Sequence, residues 1–516
     1  MKPPGRGALL ASSLVLLLLV GVPLMGLGSA LLKPPEDPLG GAVSLSSVLE
    51  SSGVGGLLLR SVGLSAVVAL LATAWGSGLA WAEHRLEFAG RRAMSVLALL
   101  PLAIPSYLLA ATLAQGPLPR VRGLPAAALV LTLVTVPYVQ LIVGAALARG
   151  SAAEEEAARS LGASPWRVFR VVVLPRLRPA LGLSVLICAL YAISDFGAVA
   201  VLDAPVLTWR LFQAVQGQAL AKAAVLGGAT LAATLPLFVL ARLLRGSGQL
   251  REAANPRPPA RRPARGLALL GAWLGFGAIV LLGLALPVGT LISWVLEGLD
   301  RGAGFASPWS PLWQTAAISA VGALALLLFA ALPARTVALR GSTWLDEAVF
   351  VSSALPGVLL AFGLMLAALG LARLGGGREL YAFLLGSGVL LLLGYGARYL
   401  AETYAPLRAA WARMDPRLAE SARVLGVSKG RWLGRVELPM VAPGLAAGTV
   451  LAFLAVLKEL PVTLLLGGAM GLQTLAFRVW DRYREALWHD AGVSGLLLVA
   501  LALALVLSTL KWRRHA

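Results

Sequence analysis

Two acidic residues lie in strongly apolar segments of this chain, 264 residues apart. Asp195 belongs to the segment YAISDFG and Glu459 to the segment AVLKELP, and Ser194 and Lys458 precede them at equivalent positions. Ionisable residues in an apolar span are costly and commonly mark a substrate pathway or an internal pair. Two carboxylates offer hard oxygen ligands, or an electrostatic funnel, to a divalent or trivalent cation. We therefore predict that Asp195, Glu459, Lys458 and Ser194 are pathway residues.

Two structural interpretations compete with this one. In the first, Asp195 pairs with Lys458 and joins two parts of the chain, and in the second, either acid caps a broken helix. Gly197 and Pro461 follow the acids by two residues and favour irregular backbone. A membrane tolerates irregular backbone only where it is buried in protein or lines a cavity. All three interpretations place the acids away from lipid.

The same interval of 264 residues separates two copies of a polar segment. The first copy, EAARSLGASPWRVFRVVVLPRLRPAL, begins at Glu156, and the second, ESARVLGVSKGRWLGRVELPMVAPGL, begins at Glu420. In each copy a Glu precedes a Gly by six residues, and a Leu-Pro pair follows that Gly by twelve and thirteen. An internal repeat of this kind indicates that the chain is two copies of one unit.

Each repeated segment predicts a helix, a glycine break and a second helix. In the first copy, residues 152–161 are good helix formers, Ser164 suits an N-cap and Pro165 suits the first helical position. The second helix is predicted over 166–173, ending before Leu174-Pro175. The second copy predicts helices over 418–425 and 429–437, with a break between them. A plain surface loop could have this form once, but two copies with identical spacing favour a surface that a partner grips.

The composition excludes the soluble class of proteins, because 58% of residues are hydrophobic and 13% are charged. We predict an all-α integral membrane protein with about twelve transmembrane helices in two tandem, parallel six-span repeats. Runs of about 20 apolar residues can cross a bilayer. The predicted spans of the first repeat are 8–32, 57–82, 93–115, 124–149, 177–202 and 219–245. Those of the second are 266–293, 312–338, 344–372, 380–401, 441–466 and 490–511.

The net charge of +20 reflects topology rather than nucleic-acid binding. If both termini are cytoplasmic, most of the 44 Lys and Arg fall on cytoplasmic segments, as the positive-inside rule requires. This orientation places both repeated segments inside, together with a linker over 246–265 that joins the halves 1–245 and 266–516. The first span resembles a signal peptide ending near Gly28-Ser29-Ala30, but its apolar run is too long for one, so we expect it to stay uncleaved.

The sequence lacks the motifs that would indicate a nucleotide-binding P-loop, a metal site or a nucleophilic triad. It contains no G-x-x-x-x-G-K-[ST] segment, so a nucleotide cannot be held in the P-loop manner. Its three His and the single Cys188 can assemble neither a metal cage nor a nucleophilic triad. We expect this chain to bind no cofactor or metal and to be no enzyme.

The repeated segments resemble the EAA loop of the membrane subunits of binding-protein-dependent ABC importers. In that family the loop forms a coupling helix docked on an ATPase subunit. The resemblance implies ATPase contacts for Glu156, Ala157, Ala158, Gly162, Pro175, Glu420, Ser421, Ala422, Gly426 and Pro439. Ser421 departs from the E-A-A pattern by one hydroxyl group, a mild change on a face of small residues. We name residues 150–176 and 406–440 the first and second coupling segments.

The resemblance also implies partners and a cargo. Two ATPase subunits, carrying ATP and Mg, would lie on the cytoplasmic side of a bacterial inner membrane, and a substrate-binding protein would lie outside. Two fused six-span halves, with the strings SDFGAVAVL, LKELPVTLLL and LQTLAFRVWDRY, resemble iron(III)-type permeases. Thiamine, polyamine and phosphonate are alternative cargoes. An ion-coupled secondary transporter and a membrane scaffold are alternatives of other classes.

One external segment is charged and aromatic. Residues 467–490 contain RVWDRYREALWHD, which has helical spacing. Such a stretch is either an interfacial helix with Trp at the headgroup level or, together with residues 208–218, a shelf on which the binding protein docks.

Overall fold

A computed structural model of the chain describes residues 6–32, 53–116, 122–246 and 260–512. Helices account for nearly all of the described residues, which confirms the all-α prediction. A short parallel pairing joins β1, Leu86–Glu87, to β2, Arg262–Pro263. Of the predicted linker, residues 247–259 lie outside the described residues, and its last residues contribute β2.

The first half contains ten helices within the described ranges. The long ones have the continuous apolar surface that a bilayer requires. They are α1 Gly7–Leu32, α2 Val54–Arg85, α3 Arg91–Ala103, α4 Ser106–Ala114, α5 Gly123–Ala148, α6 Ala152–Ser160, α7 Pro165–Ser194, α8 Gly197–Val201, α9 Leu207–Gln216 and α10 Leu220–Gly246.

The second half repeats this order with one additional helix. Its elements are α11 Gly266–Asp300, α12 Trp309–Arg340, α13 Thr343–Ala354, α14 Gly357–Gly375, α15 Gly377–Gly386, α16 Val389–Ala412, α17 Pro416–Val424, α18 Gly430–Leu457, α19 Pro461–Leu466, α20 Leu475–Arg484 and α21 Trp488–Trp512.

The number of spans agrees with the sequence prediction. Ten of the described helices are long and apolar enough to cross a membrane, and the number rises to twelve if two bent pairs each count as one span. One pair is α3 with α4, bent by 97°, and the other is α15 with α16, bent by 56°.

Five spans predicted as continuous are interrupted in the structure: two are the bent pairs just described, and three more are broken, so the prediction of continuous helices was wrong there. The span predicted over 177–202 stops at Ser194, and the one over 441–466 stops at Leu457. The span over 344–372 divides at Leu355, which precedes a proline. A residue before proline is pushed out of the helical region, and proline itself lacks a donor, so such positions end helices.

Conversely, the predicted helix ends before Leu174-Pro175 and Leu438-Pro439 are not observed. A π turn, Phe169–Val173, carries α7 through the first pair, and another, Leu433–Glu437, carries α18 through the second. A π turn changes the hydrogen-bonding pattern of the helix locally, so a residue without an N–H group can follow it. The second helix of each repeated segment and the next span are therefore one helix.

Packing divides the described residues into two compact units that differ from the two sequence halves. One unit contains α1, residues 211–228 and the chain from residue 304 onward. The other contains residues 53–210 and 229–303, which include α11. The first helix of each half therefore packs within the unit built mainly from the other half, and residues 1–245 do not form a compact unit by themselves.

Small residues allow α1 to pack closely on α14. A Cβ atom on Gly26 would come within 2.2 Å of the carbonyl oxygen of Gly363, and one on Gly363 would come within 2.3 Å of that of Pro23. Glycine pairs of this kind let helix backbones approach in membranes. In the other unit, α11 packs on α2, where the indole N–H of Trp75 donates to the carbonyl of Gly275 at 3.2 Å.

Candidate functional site

In the first coupling segment, α6 ends in a tight glycine turn. Gly162 has a φ of 78°, a conformation that residues with a side chain adopt at a cost. The N–H of Ala163 donates back to the carbonyl of Ala158 at 3.1 Å, which closes the helix end. Ser164 then caps the next helix, because its Oγ accepts from the N–H of Arg167 at 3.4 Å. The predicted break and cap are confirmed.

The second coupling segment has the same turn. Gly426 has a φ of 68°, and the N–H of Val427 donates to the carbonyl of Ala422 at 2.9 Å. No neighbouring atom lies within 4 Å of the position of a Cβ on Gly162 or on Gly426. The two glycines are thus required by backbone conformation, and the space around them is open.

Most of the residues predicted to contact an ATPase are exposed. This holds for Glu156, Ala157, Gly162 and Pro175 in the first segment and for Glu420, Ser421, Gly426 and Pro439 in the second, while Ala158 and Ala422 are half-buried. The sequence analysis did not single out the leucine that immediately precedes each glycine. Leu161 is 88% exposed and Leu425 is 79% exposed, at equivalent positions. Matched apolar side chains at two turn tips are typical of a surface that a partner covers.

The acid that anchors the first coupling segment is Glu155, which the sequence analysis did not single out. Its carboxylate accepts two hydrogen bonds from Arg85, at the end of α2, at 2.7 and 3.1 Å, and one from Arg159 at 3.2 Å. Both Glu155 and Arg85 are buried. The neighbouring Glu154 pairs with Arg176. In the sequence, Glu154, Glu155 and Glu156 look alike. Only the packing of the helix shows that Glu155 is the one that faces the protein interior.

The second coupling segment is anchored by a different acid, Glu437. It accepts from Arg335 at 2.5 and 3.1 Å, and from the indole N–H groups of Trp411 and Trp432 at 2.9 Å each. The residue at the equivalent position in the first half is Val173, and Ala419 is equivalent to Glu155. The two segments share a backbone design, but each is held by its own buried carboxylate.

Both acids of the predicted pathway cap a short helix that follows a break. Oδ1 of Asp195 accepts from the N–H of Ala198 at 2.9 Å, and Oδ2 accepts from the hydroxyl of Ser106 at 2.6 Å. Oε1 of Glu459 accepts from the N–H of Val462 at 2.6 Å, and Oε2 accepts from the hydroxyl of Tyr399 at 2.5 Å. This is the geometry of the second structural interpretation given above.

The remaining pathway candidates lie beside these caps. Ser194 is buried, and its hydroxyl donates to the carbonyl of Tyr191 at 3.1 Å, within its own helix. Lys458 is half-buried and precedes Glu459 at the break. Within the described ranges, no group of three or more His, Cys, Asp or Glu is arranged to hold a metal ion. A role for these residues in the cargo path stays a prediction.

Part of the external charged segment forms α20, which is hydrogen-bonded to the loop that precedes α12. Arg478 donates to the carbonyls of Ala306 and Ser307 at 2.8 and 2.6 Å, and Asp490 lies 3.9 Å from its guanidinium. Trp480 is buried in protein. Residues 208–218 begin within α9. A docking role for either segment stays a prediction.

Comparison with known proteins identifies the family to which this chain belongs. Residues 72–247 and 334–511 both match the family described as binding-protein-dependent transport system inner membrane component. The chain belongs to this family. It is therefore a multi-pass inner-membrane permease subunit with the family domain present twice, as the internal repeat predicted.

Individual relatives are similar over very different lengths. The Fe(3+)-transport system permease protein FbpB 2 of Haemophilus influenzae is 29% identical, over 94% of this chain and 95% of its own length. The ferric transport system permease protein FbpB of Actinobacillus pleuropneumoniae is 22% identical, over 87% of this chain and 70% of its own. The sulfate transport system permease protein CysW of Escherichia coli is 34% identical over 28% of this chain and 56% of its own. The resemblance to a fused, two-half permease is thus confirmed.

Proposed function

We propose that this chain forms the membrane pathway of an ATP-driven importer for ferric iron, which an external binding protein delivers. The support for the cargo is the similarity to two permeases named for iron over 94% and 87% of this chain, whereas the sulfate permease CysW is similar over 28% of it. Each half contributes one carboxylate, Asp195 or Glu459, and carboxylate oxygens are the hard ligands that a trivalent cation prefers.

Two ATPase subunits dock on the coupling segments, and ATP with Mg binds to them rather than to this chain. The observation that carries this step is the matched pair of exposed leucines, Leu161 and Leu425, each beside a glycine in the left-handed conformation. Small, exposed residues behind them, Ala157 and Ser421, allow a close approach. The glycine turn places each leucine at the end of a helix, and a buried carboxylate anchors each coupling segment, Glu155 in α6 and Glu437 in α18.

The coupling segments lie on the cytoplasmic side, and so do both termini. The positive-inside rule supports this orientation. Closure of the ATPase subunits then moves α7 and α18 directly, because each of these helices runs from its coupling segment into the membrane without a joint. Alternating access follows if this motion reaches the breaks beside Asp195 and Glu459.

Transport in proteoliposomes tests the proposal. The chain, its ATPase and its binding protein are reconstituted, and radioactive iron(III) uptake is measured with and without ATP. We expect uptake that requires ATP and the binding protein. Uptake driven by a proton gradient without ATP would overturn the importer, and ATP-dependent uptake of sulfate but not of iron would overturn the cargo.

Replacement of the exposed leucines tests the docking step separately. The double variant Leu161→Ser and Leu425→Ser removes two apolar side chains that touch little of the chain itself. We expect the ATPase to dissociate during purification while the permease keeps its thermal stability. Gly63→Ala is a control, since it lies in open space on α2, outside both coupling segments. Full retention of the ATPase by the double variant would place docking elsewhere.

A further inference from the structure

Three interruptions of helices in the second half meet at one group of polar side chains. The first is the break between α13 and α14 at Leu355, the second is Tyr399, whose φ of −119° and ψ of 15° interrupt α16, and the third is the break between α18 and α19 before Pro461. Helix ends leave backbone groups without internal partners, and in a membrane these groups must be satisfied by protein.

Two consecutive residues of α16 donate hydrogen bonds at two of these helix ends. The guanidinium of Arg398 donates to the carbonyls of Ser353 and Leu355, at 2.7 and 2.8 Å, where α13 ends. The hydroxyl of Tyr399 donates to Glu459, and Glu459 caps α19. The kink of α16 at Tyr399 lets neighbouring side chains reach two different helix breaks.

Further polar groups surround this contact. The hydroxyl of Tyr395 lies 2.8 Å from that of Thr463 in α19, a second link between α16 and the short helix. Glu402 and Lys458 attract each other electrostatically. Oε2 of Glu402 is buried and accepts no hydrogen bond from the described residues. We name Arg398, Tyr399, Glu402, Lys458 and Glu459 the charged junction.

The first half has no counterpart of the charged junction except its acid. The positions equivalent to Arg398, Tyr399, Glu402 and Lys458 are held by Val134, Thr135, Tyr138 and Ser194. The Thr135 hydroxyl donates to the carbonyls of Leu131 and Thr132 within its own helix. Asp195 instead accepts from Ser106, the first residue of α4. The two halves therefore hold equivalent short helices by different contacts.

We propose that Arg398 and Tyr399 are positioning residues for transport, and that the charged junction is a latch that holds α13, α16 and α19 together in the resting state. The latch opens during the transport cycle, so the second half makes the larger internal movement. This inference rests on the proposed function as an ATP-driven importer. The physical reason is that a multiply hydrogen-bonded contact between helix ends has two discrete states, bonded and parted, and a switching transition requires such a two-state element.

The matched variants are Tyr399→Phe and Ser106→Ala. Each removes one hydroxyl that donates to the equivalent acid, Glu459 or Asp195, and leaves the packing nearly unchanged. The readouts are the ATPase activity of the reconstituted complex without binding protein, and the cargo transported per ATP hydrolysed. We expect Tyr399→Phe to raise the first and lower the second by about threefold or more, the size expected for one buried hydrogen bond. Ser106→Ala should change both by less than that.

Hydrogen–deuterium exchange of the unmodified complex tests the latch without any substitution. Hydrogen–deuterium exchange with the ATPase trapped in its ATP-bound state should rise at residues 461–466 more than at 197–201. Equal effects of the two variants, equal exchange in the two short helices, or a change in thermal stability alone would overturn the latch. An unmodified complex without ATP-dependent uptake would instead overturn the proposed function, so the two failures are distinguishable.

Discussion

Oε1 of Glu459 accepts a hydrogen bond of 2.6 Å from the backbone N–H of Val462, three residues further along the chain. Asp195 makes the equivalent bond to Ala198 at 2.9 Å in the other half. A side-chain cap of this kind typically contributes about 0.5–2 kcal/mol. The pair that first suggested cation ligands is therefore also a pair of helix caps, and the two roles require separate tests.

Neutral amide variants separate charge from capping. In Asp195→Asn and Glu459→Gln the side-chain oxygen can still accept the N–H bond, so assembly should survive. We expect iron uptake to fall by about tenfold, because the carboxylate charge in the path is lost. Asp300→Asn, an exposed acid at the end of α11, is the control. Normal uptake by both variants would limit the two acids to a structural role.

Adjacent acids of the first coupling segment should behave in opposite ways. Glu155→Gln leaves Arg85 buried without its charge partner, and breaking a buried ion pair costs about 3–5 kcal/mol. We expect a clear drop in the temperature of thermal unfolding in detergent. Glu156→Gln alters an exposed side chain, so the unfolding temperature should stay the same while ATPase binding weakens. If the two variants unfold at the same temperature, the anchoring role of Glu155 is wrong.

Larger residues at the two glycine turns should uncouple ATP hydrolysis from transport without a steric clash. Gly162→Val and Gly426→Val meet no neighbouring atom, but a β-branched residue at positive φ costs about 1–2 kcal/mol and shifts the turn. We expect the ATPase to remain active while iron transported per ATP falls. Gly63→Val is the control, because it lies outside both coupling segments and lacks both a positive φ and a close neighbour. Unchanged iron transport per ATP in both turn variants would show that the glycine turns play no part in coupling.

Close packing of α1 on α14 predicts a position-specific defect. A Cβ at Gly26 would lie 2.2 Å from a backbone oxygen, and Gly26→Val should destabilise the permease by about 1–3 kcal/mol or more. Gly28→Val, two residues away in open space, should have little effect. The measurement is thermal unfolding of the purified chain. Equal stability of the two variants would contradict this helix contact.

Sequence reasoning reached the repeat, the membrane class and the coupling segments because these depend on local patterns. The Gly162 and Gly426 turns follow from residue types within a few positions of each, and the structure confirms them. The predicted helix ends before Pro175 and Pro439 failed because a π turn can carry a helix past a proline. The anchors Glu155 and Glu437 were missed because their partners lie 70 and 102 residues away.

The sequence by itself determined the class of protein, the duplication and the two exposed coupling segments, because apolar length and short-range spacing are properties of consecutive residues. Only the tertiary structure decided that Asp195 and Glu459 are caps, that Arg398 and Tyr399 join three helix breaks, and that the first helix of each half packs with the other half's helices. The physical reason is that an acid in an apolar span must find partners, and which partners it finds depends on how distant helices pack.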